Sequence, residues 1–288
     1  MTGRRVIVTG ANSGIGRAAA GAFADAGARV VLAVRDLPKG ELAASSMAGE
    51  REVRPLDLAS LASVRDFAAA WDGPIDLLIN NAGVMAPPLT RTADGFELQF
   101  GTNHLGHFAL TNLLLERLTG RVVTVSSTGH RWGAIDLEDL NWERRPYRRW
   151  RAYGQSKLAN LLFTAELQRR LTAAGSPVLA MAAHPGYAAT NLQFHSEQRS
   201  FDLISIIGNR VIAQDEAGGA RPTLYAATAE IPGNSFAGPG GFQELRGDPK
   251  LVGRSRAAKD MDVAGRLWEA SEELTGVRFP LATATGTP

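Results

Sequence analysis

"RRVIVTGANSGIGRAAAGAFADAGA", residues 4–28, carries the reading on which the fold depends. Its first part, "RRVIVTG", is a short β-rich run ending in glycine. Its second, "GIGRAAAGAFADAGA", is an Ala-rich helical stretch closed by glycine. Between them lies "TGANSGIG", residues 9–16, with glycines at Gly10, Gly14 and Gly16. Glycine lets a backbone turn sharply and approach a ligand closely. A helix start offers free N–H groups and the positive end of a dipole to a phosphate. A glycine-rich turn alone is a weak signal, and a tight turn without a ligand has the same composition. Placed between a strand and a helix it is a much stronger one. Asn12, Ser13 and Ile15 are therefore candidate cofactor contacts along with the glycines.

The same alternation continues along the chain. "RVVLAVR" reads as a second strand and "EVRPLDL" as a third, ending in Asp57. "LASVRDFAAAW" is helical, and "IDLLINNAG" is a fourth strand with its turn. "GFELQFGTNHLGHFALTNLLLERL" keeps a helical period throughout, "GRVVTVSS" is a fifth strand, a helix runs from Ala152 to about Ala174, and "PVLAMAAHPG" is a sixth strand. Strands separated by helices imply parallel βαβ units, and their apolar character fits a sheet buried on both faces. The fold class is α/β. No Pro-, Gly- or Ser-rich linker divides the chain, so residues 1–280 are expected to form a single domain, with "LATATGTP" as a loose tail over 281–288.

Composition narrows the function. The chain has 288 residues, 44% hydrophobic and 21% charged, as in an ordinary soluble protein. It has no cysteine, which excludes disulfides, thiolate nucleophiles and Cys-based zinc sites. A net charge of +2 is too small a surplus to argue for nucleic acid. No run approaches the ~18 apolar residues of a membrane span, and because the chain enters a strand at once no signal peptide is expected. A cytoplasmic enzyme is the expectation. His104 and His107 lie three apart on a helix, but no third ligand accompanies them, and His130, His184 and His195 form no zinc pattern; no metal site is expected.

"RAYGQSKLAN", residues 151–160, holds Tyr153 and Lys157 four apart, on one helical face. Alone, this would be an ordinary surface pair. In company with the other motifs, it completes a resemblance to the short-chain dehydrogenase/reductases over about residues 4–190. "TGANSGIG" resembles that family's pyrophosphate turn, Asp57 with Leu58 its adenine-contacting pair, and "NNAG" with Asn81, Ala82 and Gly83 its fourth-strand signature. Asn103 resembles the catalytic asparagine, Ser127 in "VSS" the catalytic serine, and Tyr153-x-x-x-Lys157 the active-site pair. "HPG", with Pro185 and Gly186, resembles the turn beside the nicotinamide, with Thr190 just beyond. "NHLGHF", "YGQSKLANLLF" and "ELTGVRFP" are similar to the retinol-dehydrogenase-like and related bacterial branch. The resemblance implies a doubly wound, Rossmann-type parallel sheet and hydride transfer between a nicotinamide cofactor and a carbonyl or alcohol.

The chemistry of that site follows from its residue types. A proton must move on the substrate oxygen when a hydride moves on its carbon. Tyrosine, with an ordinary pKa of ~10, is a poor base at neutral pH, and a nearby ammonium such as Lys157 is expected to lower it. Ser127 would donate a hydrogen bond to the oxygen where charge develops, and Asn103 would hold a relay water. At the end of the second strand the residue that would be acidic for NAD is Val34, and Arg35 follows it, so NADP is expected over NAD. Asp36 is the counter-evidence. The gap from Ser127 to Tyr153 is 26 residues, longer than is usual in the family. This insert, 128–151, and an apolar segment at about 191–213, with Phe194 and Phe201, are expected to shape a pocket for a bulky apolar substrate. The insert's arginines would meet an anionic group or surface, or simply solvent. Apolar excess at Leu113, Leu114, Leu161, Leu162 and Phe163, read with relatives that pair through these helices, implies a homodimer. Rival readings are an epimerase or dehydratase on this fold and a cofactor-sensing regulator; the first usually has a different glycine spacing, and the second typically loses the tyrosine or lysine.

Overall fold

The computed structural model describes residues 1–186 and 215–282. Its core is one eight-stranded sheet in the order β3-β2-β1-β4-β5-β6-β7-β8. The strands are β1 Arg5–Thr9, β2 Arg29–Val34, β3 Arg51–Pro55, β4 Ile75–Asn80, β5 Leu118–Val125, β6 Leu179–Ala183, β7 Phe236–Pro239 and β8 Pro249–Leu251. All neighbours pair in parallel except β7 with β8. Side chains alternate across the strands: Ile7 joins the core on one face, Val6 and Val8 the core on the other. The sheet is thus buried on both sides, as its apolar strands require.

The helices are α1 Gly14–Asp25, α2 Leu37–Ser45, α3 Leu61–Ala69, α4 Leu98–Phe100, α5 Gly106–Leu114, α6 Arg149–Ala173, α7 Glu216–Thr228 and α8 Met261–Thr275. Their starts are written in side chains: Asp36 caps α2 through Lys39 N, Ser60 caps α3, and Asp260 caps α8. Strand order reverses between β1 and β4. The chain crosses to opposite sides of this point, leaving a crevice beyond the strand ends. Thr9, Val34, Asn80, Val125 and Ala183 end their strands at that edge, which gathers every motif that follows them in sequence.

Several expectations change. The long helix read over about 96–118 is broken: α4 and α5 are joined by a π-helical turn, Gly101–Leu105, that contains Asn103. Helix α6 begins three residues before Ala152. The third strand stops at Pro55, short of Asp57. Strands β7 and β8 went unread because they are short and hold Pro and Gly, which strands rarely carry. Leu281 of the expected tail packs against the core. The apolar excess expected to face a twin copy is used inside the chain. Leu114, Leu161, Leu162 and Phe163 are all buried, and Leu113 packs partly buried against the core. Trp268 of α8 stacks on Phe163 at 5.6 Å, so α8 covers the face of α6 that the sheet does not. No helix among the described residues is long and apolar enough to cross a membrane.

Candidate active site

The glycine turn lies at the crevice. Gly10 (φ +65°) and Gly14 (φ +56°) take left-handed backbone that other residues rarely adopt. At Gly16 a Cβ would come within 2.4 Å of Asn81 Nδ2 and of the Gly10 carbonyl oxygen. Ser13 occupies the N-cap of α1 without capping it, and the first turn holds no acidic residue. The leading N–H groups of α1 therefore remain available at a cleft of about 360 Å³, where an anion fits. Thr9 Oγ1 accepts hydrogen bonds from Asn81 N and Ala82 N, each at 2.9 Å, and Asn81 Nδ2 donates to the Thr9 carbonyl at 2.8 Å. The ends of β1 and β4 are thereby locked into one floor. Such a turn, floor and cleft fit a dinucleotide.

At one end of the cleft stand Asp57 and Leu58, held by Asp57 N donating to Ser63 Oγ and Asp57 Oδ1 accepting from Ala59 N. Arg35 lines the same end and is exposed. Asp36 also reaches the cleft, but its carboxylate caps Lys39 N at 3.1 Å and pairs with Lys39 Nζ at 3.4 Å. Lys39, which sequence reading passed over, thus joins Arg35 at the cleft. Its signal was available: Asp36 followed three residues later by a cation at a helix start.

At the other end, Tyr153 and Lys157 both line the cleft and are buried. Lys157 Nζ donates to the Val125 carbonyl at 3.1 Å and sits 5.8 Å from the Tyr153 ring centre. Burial pulls the lysine pKa down to about 8. Burial also raises the Tyr153 pKa; a side-chain hydrogen bond with Ser127 acts against it. The sequence reading had the ammonium lowering this pKa, but desolvation of the phenol outweighs other influences here.

The two serines after β5 part company. Ser126 Oγ is buried and donates to the Lys157 carbonyl at 2.7 Å, whereas Ser127 reaches the Tyr153 hydroxyl and also accepts from Gly129 N at 3.1 Å. Successive side chains on a strand point to opposite sides, which separates the pair. The Ser127 carbonyl is held by His130 Nδ1 at 2.6 Å, while His130 Nε2 accepts from Ser255 N at 3.2 Å. Asn103 is buried under Gly83: its Oδ1 accepts from Val84 N, and its Nδ2 donates to the Val84 carbonyl and to Ser156 Oγ. A Cβ on Gly83 would meet Asn103 Oδ1 at 3.0 Å and Lys157 Nζ at 3.5 Å, so this glycine separates the two by little more than its own width. Pro185 lines the cleft, and Gly186 N donates to His184 Nδ1 at 3.1 Å. Thr190, Phe194 and Phe201 lie outside the described residues.

The insert packs on the tyrosine's helix. Tyr147 donates to the buried Glu97 at 2.9 Å and accepts from Gln99 Nε2 at 2.8 Å; burial and the Glu97 carboxylate raise its pKa, and the Gln99 bond acts against them. Arg145 lies over the Trp142 ring at 3.7 Å and pairs with Asp136 and Asp139. Arg144, Arg148, Arg149 and Arg151 are exposed. Trp132 and Trp150, each about half exposed, flank the tyrosine: Trp150 meets the Tyr153 ring edge-on at 6.4 Å, and Trp132 lies against Gly129 and Gly154.

Comparison with known proteins identifies the family. The short chain dehydrogenase family matches residues 4–200. Human retinol dehydrogenase 13 is 43% identical over 300 residues, covering 97% of this chain and 87% of that protein. Human retinol dehydrogenase 12 is also 43% identical, with 97% and 88% covered. The crystal structure of an uncharacterized protein from Mycobacterium paratuberculosis superposes with a TM-score of 0.86 at 56% identity, covering 97% of this chain and 96% of that one. An actinorhodin polyketide ketoreductase with NADPH is 25% identical, with a TM-score of 0.59 over 80% of this chain and 93% of its own. Its sheet order, its glycine turn and its relatives over nearly the whole length agree, and the chain belongs to the short-chain dehydrogenase/reductase family of NAD(P)-dependent oxidoreductases, in its retinol-dehydrogenase-like branch.

Proposed function

We propose that the protein is an NADP-dependent reductase or dehydrogenase of a carbonyl or alcohol with a bulky apolar body. The observation that carries this reading is convergence: Tyr153, Lys157 and Asn103 gather at one end of a cleft whose other end holds Arg35 and Lys39. When bound, the nicotinamide gives or takes the hydride. Tyr153 moves the proton at the substrate oxygen. A phenol whose pKa is raised is fully protonated at neutral pH, which suits donation during reduction. Ser127 donates a hydrogen bond to the same oxygen, and Lys157 holds the cofactor ribose and restores the tyrosine's proton. Tyr153→Phe is expected to keep NADPH affinity and lose several orders of magnitude in turnover. Near-normal turnover in that variant defeats the assignment.

Arg35 and Lys39 line the cleft with Asp36, whose carboxylate is engaged by Lys39 N and Lys39 Nζ, so that Arg35 is left as the cation toward a 2′-phosphate; this supports NADP. NADPH is therefore expected to bind at least about tenfold tighter than NADH, a difference of ~1.4 kcal/mol. Arg35→Asp should narrow or reverse the gap, and equal dissociation constants in the wild type would refute the preference. The apolar substrate rests on the half-exposed Trp132 and Trp150 beside Tyr153 and on relatives named for retinol. Catalytic efficiency over a series of aldehydes and ketones should rise with chain length or ring count.

A further inference from the structure

His107 belongs to no part of the proton chemistry above, yet it is buried among the residues that perform it. Its Nε2 lies 2.9 Å from Thr9 Oγ1 and its Nδ1 lies 3.0 Å from the Asn103 carbonyl oxygen. Which nitrogen carries the proton follows from counting. The Asn103 carbonyl can only accept, so the proton of a neutral ring belongs on the Nδ1 that faces it, and Nε2 has none to give. Thr9 Oγ1 already accepts from Ala82 N and from Asn81 N, the latter shared with the Ile79 carbonyl at 3.0 Å. His107 Nε2 is therefore the acceptor, taking the Thr9 hydroxyl proton in preference to the Ile79 carbonyl at 3.3 Å. The ring proton then sits on Nδ1 and donates to the Asn103 carbonyl.

The same count extends beyond the ring. Asn103 Nδ2 donates to Ser156 Oγ at 2.9 Å, and Ser156 Oγ donates to the Tyr153 carbonyl at 2.8 Å. Hydrogen bonds through these side chains and the Asn103 main chain thus form a continuous buried strap. It runs from the Asn81–Ala82 N–H groups through Thr9 and His107 to Asn103, and from there through Ser156 to Tyr153. One end is the cofactor floor, the other the helix turn that carries the acid/base.

We propose that His107, as its neutral Nδ1–H tautomer, is a positioning residue that ties the cofactor floor to the π-helical turn of Asn103 and, through Ser156, sets the place of Tyr153. The catalytic part of this inference rests on the assignment of Tyr153 proposed above. A phenylalanine at this position would keep the ring and remove both hydrogen bonds, leaving the Thr9 hydroxyl and the Asn103 carbonyl without the partner they now have. A glutamine could restore a donor and an acceptor. Misplacement of reacting groups by about 1 Å reduces turnover up to ~100-fold.

The test joins kinetics with nitrogen NMR on the full-length protein labelled at its five histidines. In the wild type, two imidazoles, those of His107 and His130, should show a protonated Nδ1 and an unprotonated Nε2, and one of the two signals should vanish in His107→Phe or, if that variant does not fold, in His107→Gln. His107→Phe should lower kcat about 10- to 100-fold with KM for the carbonyl substrate within about threefold, and His107→Gln should recover most of the loss. Ser156→Ala cuts the same strap from the far side. It should show the same split, and the double variant should lose less than the product of the two single losses. An Nε2–H tautomer at His107 overturns the proposal, as does a folded His107→Phe or Ser156→Ala variant with kcat within twofold of wild type. Tyr153→Phe separates the two readings: if it keeps turnover, the acid/base assignment fails, while the tautomer still decides whether the strap exists.

Discussion

Replacing Gly16 by alanine tests the cofactor cradle directly. The added methyl would lie 2.4 Å from both Asn81 Nδ2 and the Gly10 carbonyl oxygen, against an ordinary contact of about 3.5 Å. Something must move by about 1 Å. The Gly10 backbone is held in a left-handed turn at φ +65°, and the Asn81 amide is spent on the Thr9 carbonyl at 2.8 Å. Breaking that bond costs about 1 kcal/mol, and overpacking a tight site costs about 1–3 kcal/mol. The sum, about 2–4 kcal/mol, corresponds to a fall in Tm of about 3–7 °C for a chain of this size. The same displacement moves the N–H groups of α1 off an anionic ligand. Losing one or two such charge-assisted bonds, at about 1.5 kcal/mol each, weakens binding by about tenfold or more. Thermal melts with and without NADPH, together with titration of cofactor fluorescence, measure both effects. An alanine variant that binds NADPH within about threefold of wild type and melts at the wild-type temperature would refute the argument, since 1 Å of clash would then have been absorbed at no cost.

Acid should unfold the protein early. Burial lowers His104 and His184 to about 3 and His107 to about 4, from an ordinary 6.5. Below pH 6.5 the unfolded imidazoles bind protons and the folded ones do not, so stability falls as pH falls toward about 4, by up to ~4 kcal/mol per pH unit when all three contribute. Urea midpoints at successive pH values check this, and a flat profile from pH 7 to 4.5 contradicts it. The two serines should also separate. Ser127→Ala should reduce kcat by about 100-fold and cost stability no more than the ~0.5–1 kcal/mol of its cap on Gly129 N, while Ser126→Ala strips the Lys157 carbonyl of a buried partner and should lower stability by about 1–2 kcal/mol. Reversed outcomes for the two would show that the wrong hydroxyl has been placed beside Tyr153.

What the amino-acid order determined by itself is what depends on neighbours in the chain. The turn from β1 into α1 is readable because glycine's freedom and the helix start lie within eight residues, Thr9 to Gly16. Tyr153 and Lys157 share a face because four residues make about one helical turn. The parallel sheet is readable because helical stretches separate apolar strands. Tertiary structure decided the rest, since partners distant in sequence are chosen by the fold. Trp268 covers Phe163, so apolar side chains that look destined for another copy are satisfied at home. Gly101 and its neighbours open a π-helical turn inside a run with an ordinary helical period, under packing from Thr92 and Phe96. Lys39 reaches the cleft because Asp36 begins a helix there. The direction of the Tyr153 pKa is also a tertiary property. An ammonium one turn away can be read from spacing, but the desolvation that overrides it depends on how many atoms from remote segments bury the phenol, and local sequence does not count them.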